Sequence, residues 1–173
     1  MQMNIICRRW QEYDLPHLLS YLEHLSIETK QRFGPHAFTL DALQTYYHHR
    51  SYTGFLLIEN NSTYIIGYAI LKQGFLEHDF ERLSSYQINP NLYTDATYAP
   101  CLADDWQSKG LGQLLWESVK EFLIQNHIKR VILWGGVQQS NSTALGYYKK
   151  LGFRELGIFG NAGIGNWDMI CEI

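Results

Sequence analysis

The segment Gln107–Gly112 combines two glycines with the start of an amphipathic helix. Gly110 and Gly112 are two residues apart, and the apolar residues that follow recur at intervals of three and four, which predicts a helix with one buried face. The first turn of a helix has backbone N–H groups without intrahelical partners, and these groups carry partial positive charge. Glycines there let an anion approach the backbone without meeting a Cβ atom. The pattern therefore predicts an anion-binding loop, and phosphate is the anion that we expect.

Two widespread phosphate-binding motifs do not fit this segment. A P-loop requires Gly-Lys followed by Ser or Thr, and no such tripeptide stands at the required spacing. A dinucleotide fingerprint requires a third glycine where this chain has Leu115, and it normally opens the first βαβ unit of its domain. Gly-x-Gly also occurs by chance, so an ordinary helix-entry turn is the alternative at this point.

The elements around the loop are predicted from the periodicity of apolar residues. A strand over Thr94–Leu102 precedes the loop, and Pro100 within it predicts a bulge or a sheet edge because proline donates no ladder hydrogen bond. The full predicted order is β-α-α-β-β-β-α-β-α-β-β, a mixed sheet with helices on both faces. We see no linker, so we expect a single domain over residues 1–173.

The composition is that of an ordinary globular protein, with 46% hydrophobic and 18% charged residues. The net charge of −3 argues against broad binding to nucleic acid or to an acidic membrane. No apolar run approaches the roughly 18–20 residues that span a bilayer, and residues 1–9 lack the apolar core of a secretory signal. Three scattered cysteines favour neither a disulfide framework nor a metal site. We therefore expect a cytoplasmic protein without a bound metal.

A second block of residues gives the anion-binding loop a context. Asn141-x-x-Ala144 is followed by Tyr148-x-x-x-Gly152-Phe153, about thirty residues after the first block. Together with Gln107-x-x-Gly110-x-Gly112, this block resembles the GCN5-related N-acetyltransferase (GNAT) superfamily. The acyl-CoA motif of that family is Gln/Arg-x-x-Gly-x-Gly/Ala, and its later block is Asn-x-x-Ala, then Tyr, then Gly-Phe. Gly67-Tyr68-Ala69 in the third strand is also common there. The resemblance covers most of the chain.

The resemblance implies a fold and an activity. The fold is the GNAT fold of the α/β (mixed α+β) class, with a central, mixed, mostly antiparallel sheet of six to seven strands, splayed strands four and five, and helices on both faces. The activity is transfer of the acetyl group of acetyl-CoA to a primary amine of a small molecule or a protein, by direct attack in a ternary complex. A non-catalytic acyl-CoA-binding module that regulates a partner is the alternative. We expect no nucleic-acid or membrane partner, and a homodimer stays open.

The resemblance also implies roles for single residues. The backbone around Leu102 would hydrogen-bond the pantetheine amides like an extra strand, and the side chain of Asn141 would bond the same arm, although Asn141 is an equally good helix N-cap. Tyr148 would give a proton to the departing CoA thiolate, with a core aromatic as the alternative. The backbone amides that would hold the pyrophosphate belong to Gln107, Ser108, Lys109, Gly110, Leu111 and Gly112.

The general base is the point at which the sequence departs from the family pattern. Many relatives carry an acidic residue about six positions before the residue matched by Leu102, and this chain has Ala96 there. The adjacent Asp95 is our candidate, although strand alternation points it to the other face unless a bulge reorients it. Further candidates are Asp104, Asp105, Glu77 and His78.

The acceptor amine is not encoded in a recognisable motif. Acceptor pockets in this superfamily are built from variable loops, which here are residues 26–38, 73–93 and 157–166. Their aromatic and mildly acidic character fits a cationic or aromatic amine. Within the first loop, Arg32–His36 is a distinctive turn at the place where relatives bind the acceptor, and a purely structural turn is the equal alternative.

Overall fold

The computed structural model describes residues 4–160 and 165–173. Two compact units can be distinguished, one formed by Met1–Leu71 and Ala99–Val119, the other by Lys72–Tyr98 and Lys120–Ile173. The chain passes from one unit to the other inside regular elements rather than at linkers. The single domain over residues 1–173 therefore stays a prediction.

Eight strands and six α-helices are present in the described part of the chain, whereas six to seven strands were expected. The strands are β1 (Ile5–Arg9), β2 (Tyr52–Glu59), β3 (Ile65–Gln73), β4 (Asp95–Leu102), β5 (Arg130–Leu133), β6 (Val137–Gln138), β7 (Arg154–Phe159) and β8 (Asn166–Glu172). The helices are α1 (Leu15–His24), α2 (Ile27–Arg32), α3 (Leu40–His48), α4 (Phe80–Ser85), α5 (Leu111–Gln125) and α6 (Ser142–Lys150). The two elements that periodicity predicted least well are β6, which has two residues, and α2, which has no buried side chain and hence no apolar stripe.

In the first unit the strands follow the order β1-β2-β3-β4. β1 pairs antiparallel with β2, in a register that begins at Ile5↔Glu59. Residues 54–58 of β2 and 65–71 of β3 are buried at every position. β2 and β3 are hydrogen-bonded neighbours joined by a short turn, and the burial of successive residues shows that both faces of the pair are covered.

The helices of the first unit pack through the predicted apolar stripes. α1 contacts α3, and α3 contacts β2. Leu18 and Leu22 of α1 and Leu43 of α3 are completely buried. Thr39 caps α3, since its hydroxyl oxygen accepts a hydrogen bond from the N–H of Ala42 at 3.3 Å. No helix in the described ranges has both the length and the apolar composition that a membrane span requires.

Asp14 occupies the N-cap position of α1, but its side chain does not cap the helix. The carboxylate instead accepts hydrogen bonds from the two terminal nitrogens of Arg8, at 2.7 and 2.6 Å, and from the N–H of Gln11 at 2.8 Å. The bidentate ion pair therefore joins β1 to the start of α1.

In the second unit the order is β4-β5-β8-β6, and β7 pairs with the other side of β8. β4 and β5 are parallel, whereas the pairings of β8 with β5, β6 and β7 are antiparallel. Phe75, Leu83, Ile132 and Ile170 form a small buried core against this part of the sheet. The predicted mixed α/β class with a mostly antiparallel sheet is therefore confirmed.

Pro100 lies where β4 loses its parallel partner. The register of β4 with β5 ends at Tyr98↔Leu133, whereas β4 continues to Leu102. The carbonyl of Tyr98 accepts from the N–H of Trp134 at 2.9 Å, and in a regular strand residues 98, 100 and 102 direct their backbone groups to the same edge. The missing N–H of Pro100 therefore interrupts no ladder bond, which fits an edge rather than a bulge.

Candidate functional site

The loop over residues 103–110, in the first unit, joins the end of β4 to the start of α5. A short 3-10 turn at Asp104–Trp106 opens it, and Ser108 and Gly110 then adopt left-handed backbone conformations, with φ of 60° and 79°. A Cβ atom on Gly110 would meet nothing within 4 Å. Glycine is thus required there for its backbone angle, which costs other residues about 1–2 kcal/mol, and the space above it is open to an incoming group.

The charge around this loop favours an anion. Lys109 is exposed, and its ammonium group lies 5.3 Å from the centre of the Trp106 ring. The first turn of α5 contains no acidic residue. The positive end of the helix dipole and the lysine therefore act in the same sense at the loop.

Gln107 links the loop back to the end of β4. Its side-chain amide donates to the carbonyl of Leu102 at 3.2 Å and to the hydroxyl oxygen of Thr29 at 3.3 Å. Leu102 is half-buried, and the backbone around it is predicted to bond the pantetheine amides. A carbonyl oxygen has two lone pairs, so the bond from Gln107 leaves capacity for a second donor.

Asp104 ties the same loop to α2. Its carboxylate accepts from the N–H of Ser26 at 2.9 Å, from the Ser26 hydroxyl at 2.6 Å and from the Thr29 hydroxyl at 2.6 Å. Partial burial acts to raise the pKa of Asp104, but the hydrogen bonds from Ser26 and Thr29 outweigh it and hold the pKa below its usual value. The sequence indicated Asp104 only as a further candidate base. Its bonds to α2 could not be predicted, because the partners lie more than 70 positions away in the chain.

The second predicted block, in the second unit, begins with Asn141. Its side-chain oxygen accepts from the N–H of Ala144 at 3.1 Å, so the predicted N-cap of α6 is confirmed. That bond uses the amide oxygen, while the NH2 group is a donor that the cap does not need. Gly152 follows the helix end with a φ of 93°, a left-handed conformation that is common after a helix.

Tyr148 lies on α6 and is half-buried. Its ring stands edge-on to Phe153, with the ring centres 5.4 Å apart, and tilts against Tyr147 at 5.0 Å. Tyr147 is half-buried as well, and burial raises the pKa of its phenol above the ordinary value. The role of Tyr148 stays a prediction.

Asp95 is buried in the second unit, within an ion pair. One carboxylate oxygen accepts from a terminal nitrogen of Arg130 at 2.6 Å and from the N–H of Asn91 at 2.8 Å. These bonds tie the start of β4 to β5 and to the preceding turn, which gives Asp95 a structural role. A catalytic role for Asp95 stays a prediction, and the neighbouring Ala96 is completely buried.

The Arg32–His36 turn in the first unit leads into a buried hydrogen-bond chain. The Nδ1 atom of His36 lies 3.0 Å from the carbonyl oxygen of Ala37, and Nε2 lies 3.1 Å from the hydroxyl of Tyr68. A carbonyl only accepts, so we assign the ring hydrogen to Nδ1 and infer that Tyr68 donates to Nε2. The hydroxyl of Tyr47, 2.6 Å from that of Tyr68, then donates to Tyr68. Burial lowers the pKa of His36 and keeps the ring neutral.

The remaining candidate bases take no part in this chain of hydrogen bonds. Asp105, Glu77 and His78 are exposed, and residues 161–164 of the predicted acceptor loop 157–166 lie outside the described residues. A pocket of about 540 Å³ in the first unit is bordered by His17 and His24 of α1. Within residues 4–160 and 165–173, no group of three His, Cys, Asp or Glu side chains is arranged to hold a metal ion.

Comparison with known proteins decides the family. A family model described as the acetyltransferase (GNAT) family matches residues 18–153. The chain belongs to the GNAT family. Its fold is shared with the GNAT domain of S. lividans PAT, at a TM-score of 0.74 and 16% identity over 96% of this chain and 89% of that one. The aminoglycoside acetyltransferase AAC(6')-Ib in complex with coenzyme A gives a TM-score of 0.69 and 21% identity over 98% and 95%.

A stretch of the chain is also similar in sequence to a named acetyltransferase. Mycothiol acetyltransferase of Corynebacterium jeikeium (strain K411) is 38% identical over 60 residues. The match spans 35% of this chain and 17% of that protein, so this GNAT chain corresponds to a small part of its relative. The structural likenesses at this level of identity establish the GNAT fold, and the acceptor is a separate question.

The ion pair of Asp95 gives a prediction that separates structure from catalysis. We expect Asp95→Asn to lower the free energy of unfolding by about 3 kcal/mol, because Arg130 loses the charge that compensates its burial. Urea unfolding followed by circular dichroism measures the effect. The control is Asp105→Asn, which removes the same charge from an exposed position and should change stability by no more than about 0.5 kcal/mol. Unchanged stability of Asp95→Asn together with lost activity would assign the carboxylate to catalysis instead.

Proposed function

We propose that this protein is an acetyl-CoA-dependent N-acetyltransferase that acts on a primary amine of a small molecule or a protein. The observation that carries the proposal is the loop over residues 103–110, with left-handed residues at Ser108 and Gly110 and a helix that begins immediately after it, in a chain of the GNAT family. The two compact units act together as one domain in this proposal.

Acetyl-CoA is bound through its pyrophosphate and through its pantetheine arm. The backbone amides of Gln107–Gly112 hold the pyrophosphate at the start of α5, and Lys109 adds a positive charge. The pairing of β4 with β5 ends at Tyr98. Beyond that point, the backbone of Leu102 bonds the pantetheine amides along the edge of β4. The NH2 group of Asn141 bonds the same arm, while its amide oxygen caps α6. Bound acetyl-CoA supplies an acetyl group activated as a thioester.

The reaction is a direct transfer in a ternary complex. The lone pair of a neutral amine attacks the thioester carbonyl carbon, a C–N bond forms and the C–S bond breaks. The chain contributes proximity and orientation, and a backbone N–H dipole stabilises the charge that develops on the carbonyl oxygen. The proton lost by the amine passes to a base, directly or through water. Asp95 stays the candidate base of this proposal, against the structural role of its ion pair.

Tyr148 protonates the departing thiolate. A free phenol titrates near 10 and a free thiol near 8.5. Between a phenol and a thiol of these ordinary values the proton resides mostly on the phenol, so Tyr148 can stabilise the developing thiolate by donating a hydrogen bond. The half-buried position of the ring keeps it fixed against Phe153.

The acceptor is a cationic or aromatic amine in this proposal. The support is the aromatic character of the segment that follows α2, where Phe33 and His36 are buried against Tyr68. The names of the relatives span an aminoglycoside and mycothiol, so the family alone selects neither.

A non-catalytic acyl-CoA-binding module is the second candidate. It is favoured by one observation, the replacement of the family's acidic residue by the buried Ala96 next to an ion-paired Asp95. Both candidates require coenzyme binding, and only the first requires release of CoA.

The proposal predicts acetyl transfer with release of free thiol. Purified protein is mixed with acetyl-CoA and a panel of polyamines, aminoglycosides, aromatic amines and peptide N-termini, and CoA is followed with a thiol reagent. We expect amine-dependent thiol release with at least one class. Calorimetric binding of CoA without turnover on the whole panel would support the module, and absence of CoA binding would overturn both candidates.

Gly110→Glu tests the position of the pyrophosphate. We expect the affinity for CoA to fall on the order of 100-fold, because the substitution adds negative charge and forces a left-handed angle on a residue with a Cβ atom. Calorimetry measures the affinity. Gly110→Ala isolates the backbone strain and should cost about tenfold or less. Equal affinities for Gly110→Glu and the unmodified protein would exclude this loop as the pyrophosphate site.

Tyr148→Phe tests the proton donor. We expect kcat to fall on the order of 100-fold while the affinity for CoA stays within about threefold, since a general acid acts on the transition state and the ring is retained. Steady-state kinetics and calorimetry give the two quantities. Tyr147→Phe, which removes the hydroxyl of the adjacent half-buried tyrosine, is the matched control. Unchanged kcat in Tyr148→Phe removes this residue from the mechanism.

A further inference from the structure

Helix α2 is short and has no buried side chain. Such a helix is not stable by itself in water, since its few hydrogen bonds do not offset the cost of nucleation. The buried residues next to it are Leu25 before the helix and Phe33 after it. The helix between them is therefore positioned mainly by polar contacts.

The strongest of these contacts come from Asp104, in the loop after β4. Its two oxygens accept three hydrogen bonds from Ser26 and Thr29, two of them at 2.6 Å. The hydroxyl of Ser26 in turn accepts from the N–H of Thr29 at 3.1 Å, which caps α2. Hydrogen bonds to a carboxylate are about twice as strong as neutral ones, so this single side chain fixes the start of the helix.

The same bonds reach the residues proposed to hold coenzyme. The hydroxyl of Thr29 donates to Asp104 and accepts from the side chain of Gln107, which also donates to the carbonyl of Leu102. The Thr29 hydroxyl is therefore bonded to two residues of the loop, so it links α2 to Gln107 as well as to Asp104. The last residue of α2 is Arg32, and the chain continues into the buried turn with Phe33 and His36.

We propose that Asp104 is a positioning residue, which couples the coenzyme loop to the acceptor segment 26–38 so that coenzyme binding orders α2 before the amine arrives. The inference rests on the proposed function. Coupling of this kind is reciprocal, so coenzyme raises the affinity for the amine by the same factor by which the amine raises the affinity for coenzyme. Its magnitude is typically about 5- to 150-fold.

Hydrogen–deuterium exchange of the intact protein, with and without saturating coenzyme A, tests this coupling. In the unmodified protein we expect coenzyme A to slow exchange of the α2 amides about fivefold or more. In Asp104→Ala we expect this effect of coenzyme A to disappear, while calorimetry shows coenzyme A bound within about tenfold of the original affinity. A purely structural role would instead speed exchange equally with and without coenzyme A, and that result would overturn the proposal.

Two further variants keep the test decisive if Asp104→Ala is poorly folded. Thr29→Val removes the bridging hydroxyl and should abolish the effect of coenzyme A on α2, whereas Thr29→Ser keeps the hydroxyl and should restore it. Glu28→Gln is the charge-matched control, since Glu28 pairs with Arg32 within the helix and should leave the effect unchanged. If coenzyme A binds the unmodified protein but does not slow exchange of the α2 amides, this inference alone is removed. No binding of coenzyme A removes the proposed function as well.

Discussion

A backbone amide holds a phosphate only if the chain turns that amide outward and nothing else covers it. In the loop that follows β4, Ser108 and Gly110 adopt the left-handed angles on which the proposed phosphate site depends. The loop is then kept in place by side chains rather than by a buried core, since Gln107 bonds Leu102 and Asp104 bonds the start of α2. The conformation, the charge of Lys109 and the helix that follows all favour the same ligand chemistry.

The proposed chemistry draws on both compact units. The loop and the acceptor turn belong to the first, and Asn141 and Tyr148 belong to the second. The chain passes between the units inside β3, β4 and α5, so the residues of each part are carried on continuous strands and helices. β4 is an example of such a continuous strand. It carries the Asp95 ion pair of the second unit at one end and Leu102 of the first unit at the other.

Local patterns predicted the elements and the loop, and long-range contacts accounted for what they missed. Asn141 could be predicted as a helix N-cap because its bonding partner, the N–H of Ala144, lies three positions along the chain. The bonds of Asp104 to Ser26 could not, since they join residues 78 positions apart. α2 gave no periodic signal because none of its side chains is buried. Ser108 was unexpected as a left-handed residue because serine has a Cβ atom.

Pro100 has a consequence for the specificity of assembly. An unpaired strand edge invites a strand from another molecule, and such pairing requires a regular series of N–H and C=O groups. Beyond Tyr98 the edge of β4 offers the nitrogen of Pro100, which has no hydrogen, and then the backbone of Leu102. A foreign peptide strand meets a gap at its first bonding position, whereas a thin flexible ligand that needs only Leu102 is unaffected. Pro100 thus makes the end of β4 a poor template for the addition of another strand.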